Sequence, residues 1–443
     1  MAARSRVRPA HWIVLALAIA PAWKVVERFT APGPKEVSAE SAAQGQVLFN
    51  HEWTVNDPLT KGDGLGPVFN AKSCVACHNQ GGAGGGGPVE RNVTVYGLVN
   101  PPKNGIAQSG VVHQGAISPK YQETLNLVHA SLPAQPSIPL SVLTDRTRPP
   151  STEVVVTQRN TPALFGDGLI DAVSDETLLS LQRQHSTAAR LVGLNGAKDP
   201  KVRGRIARLA DGRVGRFGWK LEFATLNDFV KAACANELGL SNPERPQAVP
   251  LGQLAYQSEG TDLTDEQCVM MTDFIRALPV PQQVLPTDST ERARVASGKE
   301  HFNKIGCADC HTESLGPIAG IYSDMLLHDM GVELESSTGY YGSIIPQPTI
   351  SNDKFAVSEQ PTPAEWRTAP LWGVADSGPY MHDGRAATLE EAVELHRGEA
   401  IDISARFKAL PDADRRAILA FMKTLRAPSQ AEPTGSKSLA SAR

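Results

Sequence analysis

The sequence predicts one helical unit used twice in tandem, and three observations predict it. The pentapeptide Cys-x-x-Cys-His occurs twice, as Cys74-Val75-Ala76-Cys77-His78 and as Cys307-Ala308-Asp309-Cys310-His311. Short segments around one copy recur around the other in the same order. The segment that closes each unit carries apolar residues at helical spacing.

The pentapeptide is the attachment signature of c-type haem. Two thiols add across the two vinyl groups of the porphyrin, and the histidine one residue on then binds iron as proximal ligand. With 6 Cys and 11 His among 443 residues, a single chance match has a probability of roughly 0.002. A Cys-x-x-Cys redox pair or half of a zinc site is the competing reading. Two matches point to a chain carrying two c-type haems, attached through Cys74, Cys77, Cys307 and Cys310, with His78 and His311 as proximal ligands.

The recurring segments define the units. Ala43-Gln44-Gly45 followed by Phe49-Asn50 matches Ala296-Ser297-Gly298 followed by Phe302-Asn303. Arg159-Asn160-Thr161-Pro162-Ala163-Leu164-Phe165-Gly166 matches Arg367-Thr368-Ala369-Pro370-Leu371-Trp372-Gly373, and the stretch from Leu263 to Leu278 matches that from Leu410 to Leu425. The order is opening helix, haem motif, Arg-x-x-Pro turn, closing helix. Two tandem cytochrome c-like domains follow, at about 40–283 and 284–426. In the second, Asp412 is expected to cap a helix bearing Ile418, Leu419, Phe421, Met422 and Leu425. Pro281 and Pro286 mark the join.

The first domain is enlarged in two places: a polar loop at residues 50–73, and a basic, Gly-rich segment at about 185–260 with Arg203, Arg205, Arg208, Arg213 and Arg216. Those arginines are expected to face solvent or carboxylates, with a docking patch for an acidic electron donor as the lesser alternative. Gly81–Gly87 follows His78 and either wraps the first haem edge or is a plain loop. Residues 427–443 are small and polar and are expected to be disordered.

Arg4, Arg6 and Arg8 precede an apolar run from Trp12 to Trp23 with small-residue cleavage sites. That pattern, residues 1–23, reads as a signal peptide or a retained membrane anchor. It places the protein in the periplasm, where c-type haem is attached. A net charge of −4 gives no reason to expect a nucleic-acid partner. Cys234 and Cys268 are left over, either bonded to each other or two buried thiols.

With these segments assembled, the chain resembles the dihaem oxidoreductase family, relatives of the bacterial dihaem cytochrome c peroxidases. The stretches that carry the resemblance are Gly64 to Cys74, Arg159 to Val173, Gly215-Arg216-Phe217-Gly218-Trp219-Lys220, and Arg367 to Ala400 with Tyr380-Met381-His382-Asp383-Gly384-Arg385 and Thr388 to His396. The resemblance implies a mainly α fold, with haems near the interface of two lobes and often a calcium ion between them. It also implies a division of labour. The C-terminal haem is six-coordinate and relays electrons, and the N-terminal haem opens a position where peroxide is split.

In those relatives the helix after a Thr-Leu-Glu-Glu-Ala-Val stretch supplies the sixth ligand of the second haem, usually Met; here the position is His396. Leu389, Val393 and His396 share one helical face. Met381 and His382 are rival ligands. For the first haem, His113 and His129 are candidate reversible ligands. Asp167, Asp171 and Glu153, around the Arg159 turn, are candidates to move a proton in peroxide cleavage. Asp175 and Glu176 read as helix N-terminal residues. Arg159 and Arg367 are expected to anchor haem propionates, or to form structural ion pairs. Trp219 and Trp372 are either electron stepping stones or core.

The functional expectation is an exported dihaem oxidoreductase. It reduces hydrogen peroxide or a related oxidant at the first haem, with electrons from a small periplasmic donor such as a cytochrome c or a cupredoxin. A dihaem electron carrier without a substrate site, and an oxidase of a protein or thiol partner, stay open beside it. Monomer and homodimer are both open.

Overall fold

A computed structural model of the protein describes residues 36–99, 109–132, 153–194, 202–253, 255–336, 341 and 361–429. The signal or anchor at 1–23 and all but the start of the tail at 427–443 lie outside these residues. The described part is helix-rich with small sheets. Its helices are α1 (Ala39–Asn50), α2 (Pro119–Ser131), α3 (Asp167–Asp171), α4 (Asp175–Leu194), α5 (Leu226–Glu237), α6 (Asp265–Ala277), α7 (Ser289–Ile305), α8 (Leu389–Glu394), α9 (Ile401–Ala409) and α10 (Asp412–Met422).

The opening and closing helices pair in both halves, α1 with α6 and α7 with α10. One glycine makes each crossing. A Cβ on Gly45 would lie 1.8 Å from the Met270 carbonyl oxygen, and one on Gly298 would lie 1.9 Å from that of Ala417. No side chain fits such an approach, so the glycine is a steric requirement. A phenylalanine four residues on then completes the contact: Phe49 packs on Phe274 at 5.0 Å between centroids, and Phe302 on Phe421 at 5.4 Å. Two apolar clusters result, one around Phe49, Trp53, Phe217 and Phe274, the other around Phe302, Phe407 and Phe421.

The largest described sheet has three strands in the order β2-β1-β3, from β1 (Val93–Val99), β2 (Ser109–Val112) and β3 (Glu153–Arg159). All pairings are antiparallel, with Val93 opposite Arg159 and Val99 opposite Glu153. The remaining sheets are two-stranded.

One local expectation is corrected and another is met. Asp412 does not cap the closing helix: Pro411 holds the N-cap position, and the Asp412 carboxylate is taken by Arg415 one turn on. Three arginines of the basic segment meet carboxylates, one of the two outcomes expected of them. Arg205 bonds Glu365 at 2.6 Å, Arg213 bonds Asp211 and Asp228 at 2.7 and 2.8 Å, and Arg216 bonds Asp175 at 2.5 Å. Among the described residues no helix is long and apolar enough to cross a membrane.

Candidate functional site

The two pentapeptides line one continuous, mostly apolar cavity, in which Cys74, Cys77 and His78 meet Cys307, Cys310 and His311. Each motif is a single tight turn, closed by His78 N–H to the Cys74 carbonyl at 3.0 Å and by His311 N–H to the Cys307 carbonyl at 2.9 Å. Each histidine is then fixed the same way. Nδ1 of His78 donates to the Pro162 carbonyl at 3.1 Å, and Nδ1 of His311 to the Tyr322 carbonyl at 3.0 Å. With the proton held on Nδ1, Nε2 keeps its lone pair for a metal. Burial pulls both imidazoles down to about 4, so both are neutral at pH 7. Phe49 and Phe302, the helix-crossing phenylalanines, stand 6.3 and 6.5 Å from the two histidine rings.

The Arg-x-x-Pro turns supply the polar part of the wall. Both end in a left-handed glycine, Gly166 at φ 82° and Gly373 at φ 75°. Arg159 is buried, and only its Nη2 is engaged, donating to Ser336 at 3.2 Å. Its Nε and Nη1, and Nε of Arg367, are buried without a hydrogen-bond partner. Such orphaned donors in a cavity wall carry a desolvation cost unless an acceptor enters. Two carboxylate-bearing porphyrins would meet that need.

The two halves differ in one pair of corresponding helices that line the cavity. Thr388 caps α8 with its side chain accepting from Glu391 N–H, at φ −127° and ψ 157°. Thr225 caps α5 by accepting from Asp228 N–H, at φ −126° and ψ 155°. From these caps the cavity-lining residues fall in step: Leu389 with Leu226, Ala392 with Phe229, Val393 with Val230, and His396 with Ala233. His396 has its Nδ1 on the Ala392 carbonyl at 2.7 Å, and its ring centroid is 6.5 Å from that of His311. Sequence reasoning singled out His396 but not the partner helix, where only Thr, Leu and Val recur.

Several sequence candidates are placed elsewhere. His113 donates Nε2 to the Asn236 carbonyl at 2.8 Å, and His129 donates to the His113 carbonyl at 2.8 Å; neither lines the cavity. Asp171 is held by Arg276 at 2.7 Å and by the Leu226 amide at 2.8 Å, a structural ion pair. Glu153 begins β3, and six extended residues, about 20 Å, separate it from Arg159 at the other end. Asp167 does line the cavity; burial raises its carboxyl to about 7, and the nearby Arg367 limits the rise. Met381 and His382 also line the cavity, and His382 stacks on Trp366 at 3.6 Å with Arg159 4.5 Å from the same indole. Trp219 and Trp372 both face the cavity.

The Cys234 and Cys268 thiols are free, buried and in contact across α5 and α6. Beside Cys310, at 3.6 Å, stands His328, held by Asp324 at 2.9 Å and Glu399 at 2.8 Å. Among the described residues no group of three or more His, Cys, Asp or Glu is placed to hold a metal ion, calcium included.

The family described as "Di-haem oxidoreductase, putative peroxidase" matches residues 144–425. Among curated proteins, the chain is 27% identical over 193 residues to methylamine utilization protein MauG of Methylorubrum extorquens, across 41% of this chain and 50% of that one. The match thus spans about half the length of that relative. Solved structures with similarity include hydrazine synthase of Kuenenia stuttgartiensis, with 14% identity, 88% of each chain and a TM-score of 0.41. A MauG-like protein associated with microbial copper homeostasis gives 17% identity over 58% of this chain and 91% of that one, with a TM-score of 0.29. A variant of the dihaem peroxidase BthA of Burkholderia thailandensis gives 16% identity over 88% and 86%, with a TM-score of 0.39.

Proposed function

The chain belongs to the di-haem oxidoreductase family, and from that premise we propose that it is an exported enzyme of two tandem cytochrome c-like units that reduces hydrogen peroxide at its first haem. The observation that carries this reading is the helix register. Eight residues beyond its threonine cap, α8 leads to His396, whereas α5 presents Ala233. An imidazole can close the second iron, and a methyl group cannot close the first.

In this reading Cys74, Cys77, Cys307 and Cys310 hold the haems covalently, and His78 and His311 are the proximal ligands. Arg159 and Arg367 pair with propionates through their free donors. His396 would complete the second haem, which would then pass electrons without binding substrate. When bound, the haems supply two electrons and a Lewis-acidic site for the oxidant. On the first-haem half Phe229, Val230 and Ala233 line the cavity with apolar side chains and offer no metal ligand. The net reaction is one hydrogen peroxide, two protons and two electrons to two waters. The electrons come from a small donor protein outside the cytoplasm.

The deciding experiment is an EPR and optical spectrum of the holoenzyme, oxidised and half-reduced, before and after peroxide. One high-spin and one low-spin haem, with the high-spin signal consumed by peroxide, supports the reading. Two low-spin haems indifferent to peroxide in both states would leave an electron carrier in its place.

A further inference from the structure

The two cysteines outside the haem motifs break the echo between the halves. Cys234 follows Ala233 on α5, and Cys268 lies in the first turn of α6. The register that pairs Ala233 with His396 sets Arg397 opposite Cys234, and the register that pairs Leu263 with Leu410 sets Arg415 opposite Cys268. The second half builds the corresponding helices without either thiol. The extra cysteines therefore come as a pair, in the first half alone.

Both side chains are buried in the apolar cluster of that half. Their helices are tied by Asn227 Nδ2, which donates to Thr272 Oγ1 at 2.9 Å, and the Thr272 hydroxyl donates to the Cys268 carbonyl at 2.8 Å. The two thiols meet across this seam. Cys234 also lines the haem cavity with Cys74 and lies close enough to feel its charge, whereas Cys268 does not line the cavity.

We propose that Cys234 and Cys268 are joined by a disulfide in the exported protein, and that this bond reserves Cys74 and Cys77 for the first haem. The proposal rests on the reading of an exported chain with covalently held haem. Disulfides form and persist in oxidising compartments. There an unpaired Cys234 is a third thiol at the first haem turn, and it competes with the porphyrin for Cys74. Bonding to Cys268 removes it. The bond forms by exchange with a protein disulfide. One cysteine thiolate attacks a sulfur of that disulfide, and the other resolves the mixed disulfide. Two S–H bonds become one S–S bond in this chain, and one S–S bond becomes two S–H bonds in the partner. Exchange precedes packing, because in the fold the hydrogen bond with Cys268 and burial hold the Cys234 thiol well above its ordinary value, which leaves little reactive thiolate. The second motif needs no such guard: its half has no further cysteine, and the side chain beside Cys310 is His328 at 3.6 Å.

The test uses the full-length holoprotein, alkylated under denaturing, non-reducing conditions and digested for mass spectrometry. Haem per chain is measured on the same samples as the pyridine haemochrome. Wild type should yield a peptide linking Cys234 to Cys268, and both cysteines should take label only after reduction. Labelling of both without reduction overturns the disulfide. Cys268→Ala leaves Cys234 unpaired and should lower haem from about two per chain to about one, with a peptide linking Cys74 to Cys234. Cys234→Ala and the double variant Cys234→Ala/Cys268→Ala should each keep about two, because neither leaves a thiol at the cavity. Full haem in Cys268→Ala, or equal loss from all three variants, overturns the reservation of Cys74. Should Cys268→Ala not fold, the double variant decides. Two haems in it place the fault in the unpaired Cys234, and loss of the first overturns the proposal. A linked Cys234–Cys268 peptide in a wild type whose Cys74 and Cys77 carry no haem keeps the disulfide and overturns covalent attachment instead.

Discussion

The imidazoles of His311 and His396 lie with ring centroids 6.5 Å apart and planes at 60°. Two imidazoles bound to one metal through Nε2, each at about 2.0–2.1 Å, place their centroids roughly 6–6.5 Å apart. Both rings have Nδ1 committed to a backbone carbonyl. The free chain is therefore already spaced and protonated for a bis-histidine iron.

His396→Ala should turn the second haem from low-spin to high-spin, leaving its covalent attachment intact. His396→Met should keep it low-spin and raise its potential by on the order of 100 mV, because a thioether favours the reduced iron relative to imidazole. EPR and redox titration read both. A second haem still low-spin in His396→Ala, with Met381 removed as well, would count against this ligand.

Ala233→His tests the register argument from the other side. An imidazole at the position equivalent to His396 should reach the first iron, convert it to low-spin and cut peroxide consumption by at least about 100-fold. Full activity with an unchanged high-spin signal would mean that the α5 and α8 caps do not correspond in the holoprotein.

Much of this site is legible in the sequence, for a physical reason. The Cys-x-x-Cys-His motifs, the crossing glycines Gly45 and Gly298 and the phenylalanines Phe49 and Phe302 recur because a fixed thiol–imidazole spacing or a backbone contact tolerates no substitute. His396 was legible through its helical face. The α5 helix was hidden because it lacks a ligand: Phe229 and Ala233 stand where Ala392 and His396 do, so no chemical motif marks the echo. Cys74 and Cys234 are far apart in the chain and meet only through folding. The same applies to Asp171, whose partner Arg276 is 105 residues away.

Gly45→Ala and Gly298→Ala should each destabilise the protein, against the helix preference of alanine, worth about 1 kcal/mol. The new methyl would meet a backbone carbonyl, at 1.8 Å in the first case and 1.9 Å in the second, and neither helix can retreat without opening its phenylalanine contact. Overpacking of this kind costs about 1–3 kcal/mol or more. Thermal unfolding of the two variants checks the sign; a raised Tm in either would mean that the crossing is looser than the structure shows.

The pair Asp324 and His328 sets a pH window for stability. Both side chains are buried, 2.9 Å apart. The imidazolium of His328, with hydrogen bonds from His185 and His328, holds the Asp324 carboxyl well below its usual range in spite of burial. Asp324 in turn lifts His328 well above the ordinary histidine value, again in spite of burial. The aspartate therefore contributes stability that is present above its unfolded value of 3.8 and is lost as pH falls through its lower folded value. The histidine contributes stability that is complete below 6.5 and is lost as pH rises from there towards its higher folded value. Between about pH 4 and pH 6.5 both contributions are whole, and the protein should show a plateau there. His328→Gln strips Asp324 of its nearest cation and should cost about 3–5 kcal/mol within the plateau. The cost should shrink above about pH 6.5, because the unfolded wild type then no longer gains a proton on folding without paying for it. Denaturant unfolding of both proteins from about pH 4 to pH 9 measures the difference directly. Two curves that run parallel across that range would show that His328 does not carry its charge in the fold.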